Sequence, residues 1–182
     1  MMGDILSEAL LAAVTLGLAA RDIKTRPAIG IGLGLIGLAA ILGALNYYGM
    51  TAATGPHRFV SLLAACAGFP LLVCGVHWPQ DAIARRPAAA ARFGLVIGAV
   101  GVVLVVMLNF AQWSHIVPAV SALLIAVAAL HSRKPLTIAG SLLLLVCFIL
   151  SLAAVTVAPF DADQQFHVLM ALSLGLLAWR QN

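Results

Sequence analysis

The chain has 182 residues, of which 63% are hydrophobic and only 9% are charged, and its mean hydropathy is +1.10. This composition excludes a soluble domain, so the net charge of +4 has to be assigned loop by loop and does not by itself indicate an anionic partner. We predict an all-α membrane protein in which residues 1–182 form a single transmembrane domain.

Seven apolar stretches are long enough to cross a bilayer, whose hydrocarbon core takes about 20 residues of helix. They are, in chain order, Ile5–Ala20, Ala28–Met50, Phe59–Val76, Ala88–Phe110, Trp113–Leu130, Leu136–Ala158 and Gln164–Trp179. The first is short enough to be mistaken for a signal peptide, but Asp4 and Glu8 stand where a signal peptide carries basic residues. We therefore expect it to stay in the protein as the first span.

Basic residues predict the orientation of these helices, because Lys and Arg are enriched in cytoplasmic loops. In a seven-helix threading nine of the ten basic residues fall on one side, and only Arg58 falls on the other. The nine are Arg21, Lys24, Arg26, Arg85, Arg86, Arg92, Arg133, Lys134 and Arg180. The sequence thus predicts an amino terminus outside, a carboxyl terminus in the cytoplasm, and a location in the plasma (inner) membrane.

Two local patterns predict where helices begin and where they pack. Three predicted inner turns end with a basic residue and then proline, at Arg26-Pro27, Arg86-Pro87 and Lys134-Pro135. Proline suits the first position of a helix, where its missing N–H is not needed, so these pairs mark helix starts. Gly30 and Gly34 have the four-residue spacing that allows two helices to approach closely.

Polar side chains collect at the predicted outer ends of the helices. They are Glu8, Asn46, Tyr47, Tyr48, His57, Ser61, Asn109, Ser114, His115, Asp161, Asp163, Gln164, Gln165 and His167. Ionisable residues within membrane segments are costly, and they usually face a cavity and serve a function. The cluster therefore predicts an outward-facing polar pocket.

Part of this cluster is a candidate site for a divalent metal, with zinc as the preferred ion. We predict His57, Asp163 and His167 as the ligands and Glu8 or Asp161 as the catalytic base that activates a bound water, since imidazole and carboxylate groups are zinc ligands. The alternative is that these are ordinary interfacial residues. Asp161 and Asp163 would then cap the last helix, and the dipole of the first helix would stabilise Glu8.

Seven helices, an acid near the start of the first and the Asp163-x-x-x-His167 head of the last resemble the CREST superfamily of membrane proteins. This group includes alkaline ceramidases, progestin and adipoQ receptors and hemolysin-III-like proteins. In its catalytic members, the resemblance implies, three histidines hold zinc, one from an early helix and two from an HxxxH in the seventh. His167 matches the first histidine of that pair, but Ala171 stands at the second position. The early histidine is missing from the end of helix 2, and His57 with Ser61 would substitute for it.

Two functions follow from this pattern. The first is a divergent metal-dependent hydrolase of a lipid or acyl amide. The second is a non-catalytic seven-helix protein, lipid-binding or receptor-like, whose pocket binds a lipid or small amphiphile, and Ala171 favours it. Membrane lipids are the expected partners and nucleic acid is not, while the sequence leaves both enzymatic activity and oligomeric state open. The histidines lie near the outer surface, which disfavours a haem held between helices.

Overall fold

The computed structural model describes residues 2–178, and these residues form helices and no β-strand. The helices are α1 (Met2–Asp22), α2 (Pro27–Tyr47), α3 (Thr51–His77), α4 (Ala82–Arg85), α5 (Pro87–Met107), α6 (Trp113–Ser132), α7 (Pro135–Leu152) and α8 (Ala162–Ala178). Helix α3 contains a π-helical turn at Ala64–Gly68, and α5 ends in another at Val103–Met107. The predicted all-α class is confirmed for this part of the chain.

Six of these helices are long and apolar enough to cross a membrane: α1, α2, α3, α5, α6 and α7. The seventh predicted span corresponds to α8, which has 17 described residues. Its predicted last residue, Trp179, and the basic residue Arg180 that follows lie outside the described residues.

The helix starts that proline marks were predicted well, whereas the start of the third span was wrong, because α3 begins at Thr51 and not at Phe59. Pro27, Pro87 and Pro135 each begin a helix, as the basic-proline pairs indicate. The predicted ends of Ala88–Phe110 and Leu136–Ala158 were wrong, because α5 stops at Met107 and α7 stops at Leu152. Just beyond these ends Asn109 and Ala154 adopt positive φ angles of 53° and 51°, a conformation that an α-helix cannot continue through. Hydrophobicity alone does not reveal such a stop.

The central packing brings α1 against α2 and α8, while α8 also packs against α7. Close approach at Gly30 is confirmed, since a Cβ there would lie 2.6 Å from Cα of Ile23. The same prediction was wrong for Gly34, whose Cβ would have no neighbour within 4 Å among residues 2–178. The four-residue spacing identifies the face of the helix that packs, but not the position along the helix axis at which a partner helix crosses it.

Helix α1 buries polar residues on one face and exposes large apolar residues on the opposite face. Its buried polar residues lie on one helical face, because they are spaced by three, four or seven positions. They are Asp4, Ser7, Glu8, Thr15 and Asp22. The opposite face exposes Met2, Leu6 and Leu10. A water-soluble helix shows the reverse arrangement, whereas polar residues of membrane helices face the bundle interior. This arrangement points Glu8 toward the other helices.

The two ends of the bundle differ in chemistry. At the basic end, defined by the α1–α2, α3–α5 and α6–α7 connections, Nη2 of Arg21 donates to the carbonyl of Ala178 at 2.7 Å. At the polar end, defined by the α2–α3 and α7–α8 connections, the hydroxyl of Tyr47 donates to Oδ2 of Asp163 at 2.9 Å. These contacts place the ends of α1, α2 and α8 in register, with the basic loops at one end and the polar cluster at the other.

Candidate functional site

A cavity of about 840 Å³ lies at the polar end of the bundle and extends between the helices. Its volume falls within the range of about 300–1,000 Å³ that is typical of small-molecule sites. Leu11, Ile36, Phe69, Phe148 and Met170 contribute to an apolar wall. The polar side chains that line it are Glu8, Tyr47, His57, Arg58, Ser61, Ser114, His115, Ser151, Asp163, Gln165 and His167.

The central polar contact of this cavity joins Glu8 to His167. Glu8 is only 2% exposed, and its Oε1 lies 3.5 Å from Nε2 of His167. Within the described part of the chain, the buried Nδ1 of His167 has no hydrogen-bond partner. A buried carboxylate is costly unless a partner compensates its charge, and an imidazole can do so by sharing a proton with it. The pair can therefore exchange a proton with a ligand or orient its polar head.

His57 is the second histidine at the same place. A Cβ added at Gly43 would collide with Oε1 of Glu8 and would lie 3.0 Å from Cε1 of His57, so both side chains rest against this glycine. Nδ1 of His57 lies 3.1 Å from the carbonyl oxygen of Ala39. Because a carbonyl only accepts hydrogen bonds, Nδ1 carries the hydrogen in this bond, and in the neutral ring Nε2 is then the nitrogen with a lone pair.

A row of aromatic rings supports His167 from the core. The ring centroids of Phe69 and Phe148 are 5.2 Å apart, those of Phe148 and Phe166 are 5.6 Å apart, and those of Phe166 and His167 are 5.7 Å apart. All three pairs meet edge to face, a favoured arrangement of aromatic rings. The row fixes the orientation of the imidazole and forms an apolar surface directly beside it.

The two predicted aspartates lie nearer the surface than the histidines. Asp163 is exposed at the rim of the cavity, where it accepts the hydrogen bond from Tyr47. Asp161 is also exposed, and its Oδ1 accepts a hydrogen bond from the backbone N–H of Gln164 at 2.9 Å. This is the geometry of a helix N-cap. The structure therefore brings Glu8, His57 and His167 together but does not bring Asp161 to them.

Two glutamines and one aspartate form hydrogen bonds at the rim of the cavity, and the sequence did not indicate this role for them. Nε2 of Gln164 donates to Oδ1 of Asp4 at 3.0 Å, which ties α8 to α1. Gln165 accepts a hydrogen bond from the N–H of Val157 at 2.6 Å and donates to the carbonyl of Val155 at 3.0 Å. The helical spacing of Asp4 and Glu8 could have revealed that both lie on one face, whereas no local signal indicates the partners of Gln165.

The zinc prediction can be compared with the groups that the structure brings together. Among residues 2–178 no three His, Cys, Asp or Glu side chains are grouped so that they could hold a metal ion. The donor types around Glu8, His57 and His167, two imidazoles and one carboxylate, do occur together in zinc enzymes. A ligating histidine normally has a hydrogen-bond partner that orients it, and Nδ1 of His167 has none within residues 2–178. Zinc binding stays a prediction, and we assign it no chemical step.

The fold and the cavity define the class of protein: a bundle of apolar helices with a partly polar cavity between them. The chain is all-helical in its described part, with six helices long and apolar enough to cross a membrane and a cavity with polar side chains between them. No protein-family model matches it, and neither a curated protein nor a solved structure matches it. The resemblance to the CREST superfamily therefore stays a hypothesis drawn from sequence features.

Proposed function

We propose that this chain is an inner-membrane protein that binds a lipid or another small amphiphile in the cavity at its polar end. The polar head of the ligand would contact Glu8 and His167, and its apolar tail would lie against Phe69, Phe148 and Met170. The observation that carries the proposal is a cavity of about 840 Å³ with an apolar wall and a single buried carboxylate–imidazole contact. Sites for small molecules commonly combine a mostly apolar wall with a few polar groups that orient the ligand.

The proposal includes seven membrane spans, with α8 as the seventh and with the amino terminus outside. The inverted polarity of α1 supports a membrane setting, because Glu8 and Thr15 face inward while Leu6 and Leu10 face outward. The gathering of the basic loops at one end supports a cytoplasmic location for that end. The polar cavity then faces outward.

The orientation can be tested with fusions to the carboxyl terminus in bacterial cells. A green fluorescent protein fusion should fluoresce and an alkaline phosphatase fusion should be inactive, because the former matures in the cytoplasm and the latter outside it. Fractionation should recover the protein with inner-membrane markers. The opposite pair of fusion results would contradict the seven-helix threading while leaving the cavity itself in place.

Ligand binding can be tested by blocking the apolar part of the cavity. Met170 lines the cavity and is buried, whereas Leu172 lies on the same helix and is 52% exposed. We expect Met170→Trp to lose the lipid that wild-type protein retains through purification, and Leu172→Trp to keep it. The measurement is mass spectrometry of the organic extract, expressed as moles of lipid per mole of protein.

A second variant is needed because overpacking a core costs about 1–3 kcal/mol, and a folding defect in Met170→Trp would also release lipid. Ser151 lines the cavity but is exposed at the end of α7, so Ser151→Trp should obstruct the cavity without overpacking the core. Equal lipid retention in wild-type protein, Met170→Trp and Ser151→Trp would refute a ligand in this cavity.

Hydrolysis of a lipid or acyl amide is the second candidate function, and one arrangement specifically favours it. Glu8 contacts His167, and His57, which rests against the same glycine as Glu8, has Nε2 free while Nδ1 is held by the carbonyl of Ala39. A base positioned near a water in an apolar cavity is a common element of hydrolases. Hydrolysis would be measured as fatty-acid release from an acyl-amide substrate. Glu8→Gln should abolish this release even where the variant still retains lipid.

Zinc is tested separately, because lipid binding does not require it. We expect stoichiometric zinc in protein purified from zinc-replete cells and a sharp loss of zinc in His167→Ala. His131 is exposed at the basic end, so His131→Ala is the matched control and should retain zinc. Metal-free wild-type protein would rule out the zinc prediction and leave the binding proposal standing.

A further inference from the structure

A second cavity, of about 450 Å³, lies at the basic end among α2, α3, α6, α7 and α8. Four polar residues line it where the connections meet: Arg26, Ser132, Lys134 and Thr137. The remainder of its wall is largely apolar and includes Ile29, Leu33, Leu72, Leu174 and Leu177. The cavity is therefore amphipathic, with cationic and hydroxyl groups at the end of the bundle and aliphatic side chains between the helices.

The charge around Arg26 remains positive after its ion pairs are considered. The carboxylate of Asp22 is fully buried and pairs with both Arg21 and Arg26, so two guanidinium groups share one carboxylate. Nε of Arg26 is buried and has no hydrogen-bond partner anywhere in residues 2–178. This nitrogen is closed off from the cavity, so an anion there would meet the net positive charge of the two guanidinium groups and not this donor. Lys134 adds a further positive charge at the same cavity.

Two helix starts add to this positive field. Arg26 is the N-cap of α2 and Lys134 is the N-cap of α7, and neither helix start has a side-chain capping bond within the described structure. The first backbone N–H groups of a helix lack partners inside the helix, and the helix dipole makes this end attractive to anions. Both starts border one cavity that also contains cationic side chains, which is the composition of a phosphate-binding site.

We propose that this cavity binds the phosphate group of an anionic phospholipid. Arg26 and Lys134 would contact the phosphate, Thr137 would donate a hydrogen bond to it, and an acyl chain would lie against Leu72, Leu174 and Leu177. Free phosphate offers the same head chemistry, but it would leave the apolar depth of the cavity unfilled. Basic pockets between membrane helices are suited to anionic head groups.

The test compares lipid binding in nanodiscs that contain phosphatidylglycerol with binding in nanodiscs that contain only phosphatidylcholine. Native mass spectrometry counts the lipids that stay bound after release from the disc. We expect a preference for phosphatidylglycerol that weakens about fivefold in Lys134→Gln, since one cation near a phosphate contributes about 1 kcal/mol. Lys24 is exposed in the α1–α2 connection and is not among the cavity residues, so Lys24→Gln removes the same charge as a control and should keep the preference.

Thr137→Val provides a second variant that changes no charge and should also weaken the preference. A comparable loss in Lys24→Gln and Lys134→Gln would overturn the proposal, because it would show a general attraction between charged surfaces. Equal retention of both lipids by wild-type protein would also overturn it. Inorganic phosphate could instead protect the protein against unfolding while the protein shows no preference between the two lipids. That result would refute the proposal that the bound phosphate belongs to a lipid. All of these outcomes are independent of the cavity at the polar end.

Discussion

Gly43→Ala is the sharpest test of the contact between the first and third helices. A Cβ at this position would collide with Oε1 of Glu8 and would lie 2.7 Å from Cδ of Glu8 and 3.0 Å from Cε1 of His57. Neither side chain can easily withdraw, because Glu8 is 2% exposed and His57 is bonded to the carbonyl of Ala39. The alanine should therefore displace the carboxyl group and weaken lipid retention.

The matched control is Gly34→Ala on the same helix, where the new methyl group would meet no atom within 4 Å in the described structure. Alanine is favoured over glycine in a helix by about 1 kcal/mol, and this gain applies to both variants. Overpacking should add about 1–3 kcal/mol of destabilisation to Gly43→Ala alone. The free energies of unfolding of the two variants should therefore differ by about 1–3 kcal/mol.

The chain supplies its own probe for this measurement. Cys66, Cys74 and Cys147 are free and buried, so a thiol-reactive fluorophore reports their exposure as the protein unfolds on heating. For a chain of this size the expected difference corresponds to a melting temperature lower by about 2–12 °C in Gly43→Ala than in Gly34→Ala. Equal melting temperatures, or a higher one for Gly43→Ala, would show that Glu8 and His57 do not meet over this glycine.

Three further predictions address the packing around the site. Gly140→Ala should destabilise the protein by about 1–3 kcal/mol in the same thermal assay, because its Cβ would lie 2.6 Å from a backbone nitrogen of α8. Gly175→Ala is the control and should be tolerated, since the nearest atom to its Cβ would be 3.8 Å away. Gln165→Leu removes both hydrogen bonds to the α7–α8 connection, so hydrogen exchange there should become about tenfold faster, and unchanged protection would contradict the role of this side chain. Tyr47→Phe should lower the free energy of unfolding by less than about 1 kcal/mol, because its bond to Asp163 is exposed, and a much larger loss would indicate a buried Asp163.

Much of the fold could be predicted because its causes are local. A proline after a basic residue marks a helix start regardless of what the helix later contacts, and Pro27, Pro87 and Pro135 all begin helices. Helix ends depended on a conformational detail, the left-handed backbone at Asn109 and Ala154. The residues after Leu152 are nearly as apolar as α7 itself, so hydrophobicity could not reveal where that helix stops.

The sequence names candidate residues for the site but not the contacts among them. Sequence reasoning named Glu8, His57, Asp163 and His167, and the structure pairs Glu8 with His167 while Asp163 binds Tyr47 at the surface. The distances among these groups depend on how α1, α2, α3 and α8 cross. No spacing within one helix contains that information.

The sequence by itself determined that residues 2–178 are helical and without strands, that three helices begin at Pro27, Pro87 and Pro135, and that basic and polar residues separate to opposite ends. Hydropathy, proline geometry and charge are properties of short segments. Only the tertiary structure decided which polar groups meet. Gly43 and Gly34 lie on the same helix and look alike in the sequence, yet one touches Glu8 and His57 while the other faces open space. The contact depends on the position of α1 and α3 against α2, which no single segment specifies.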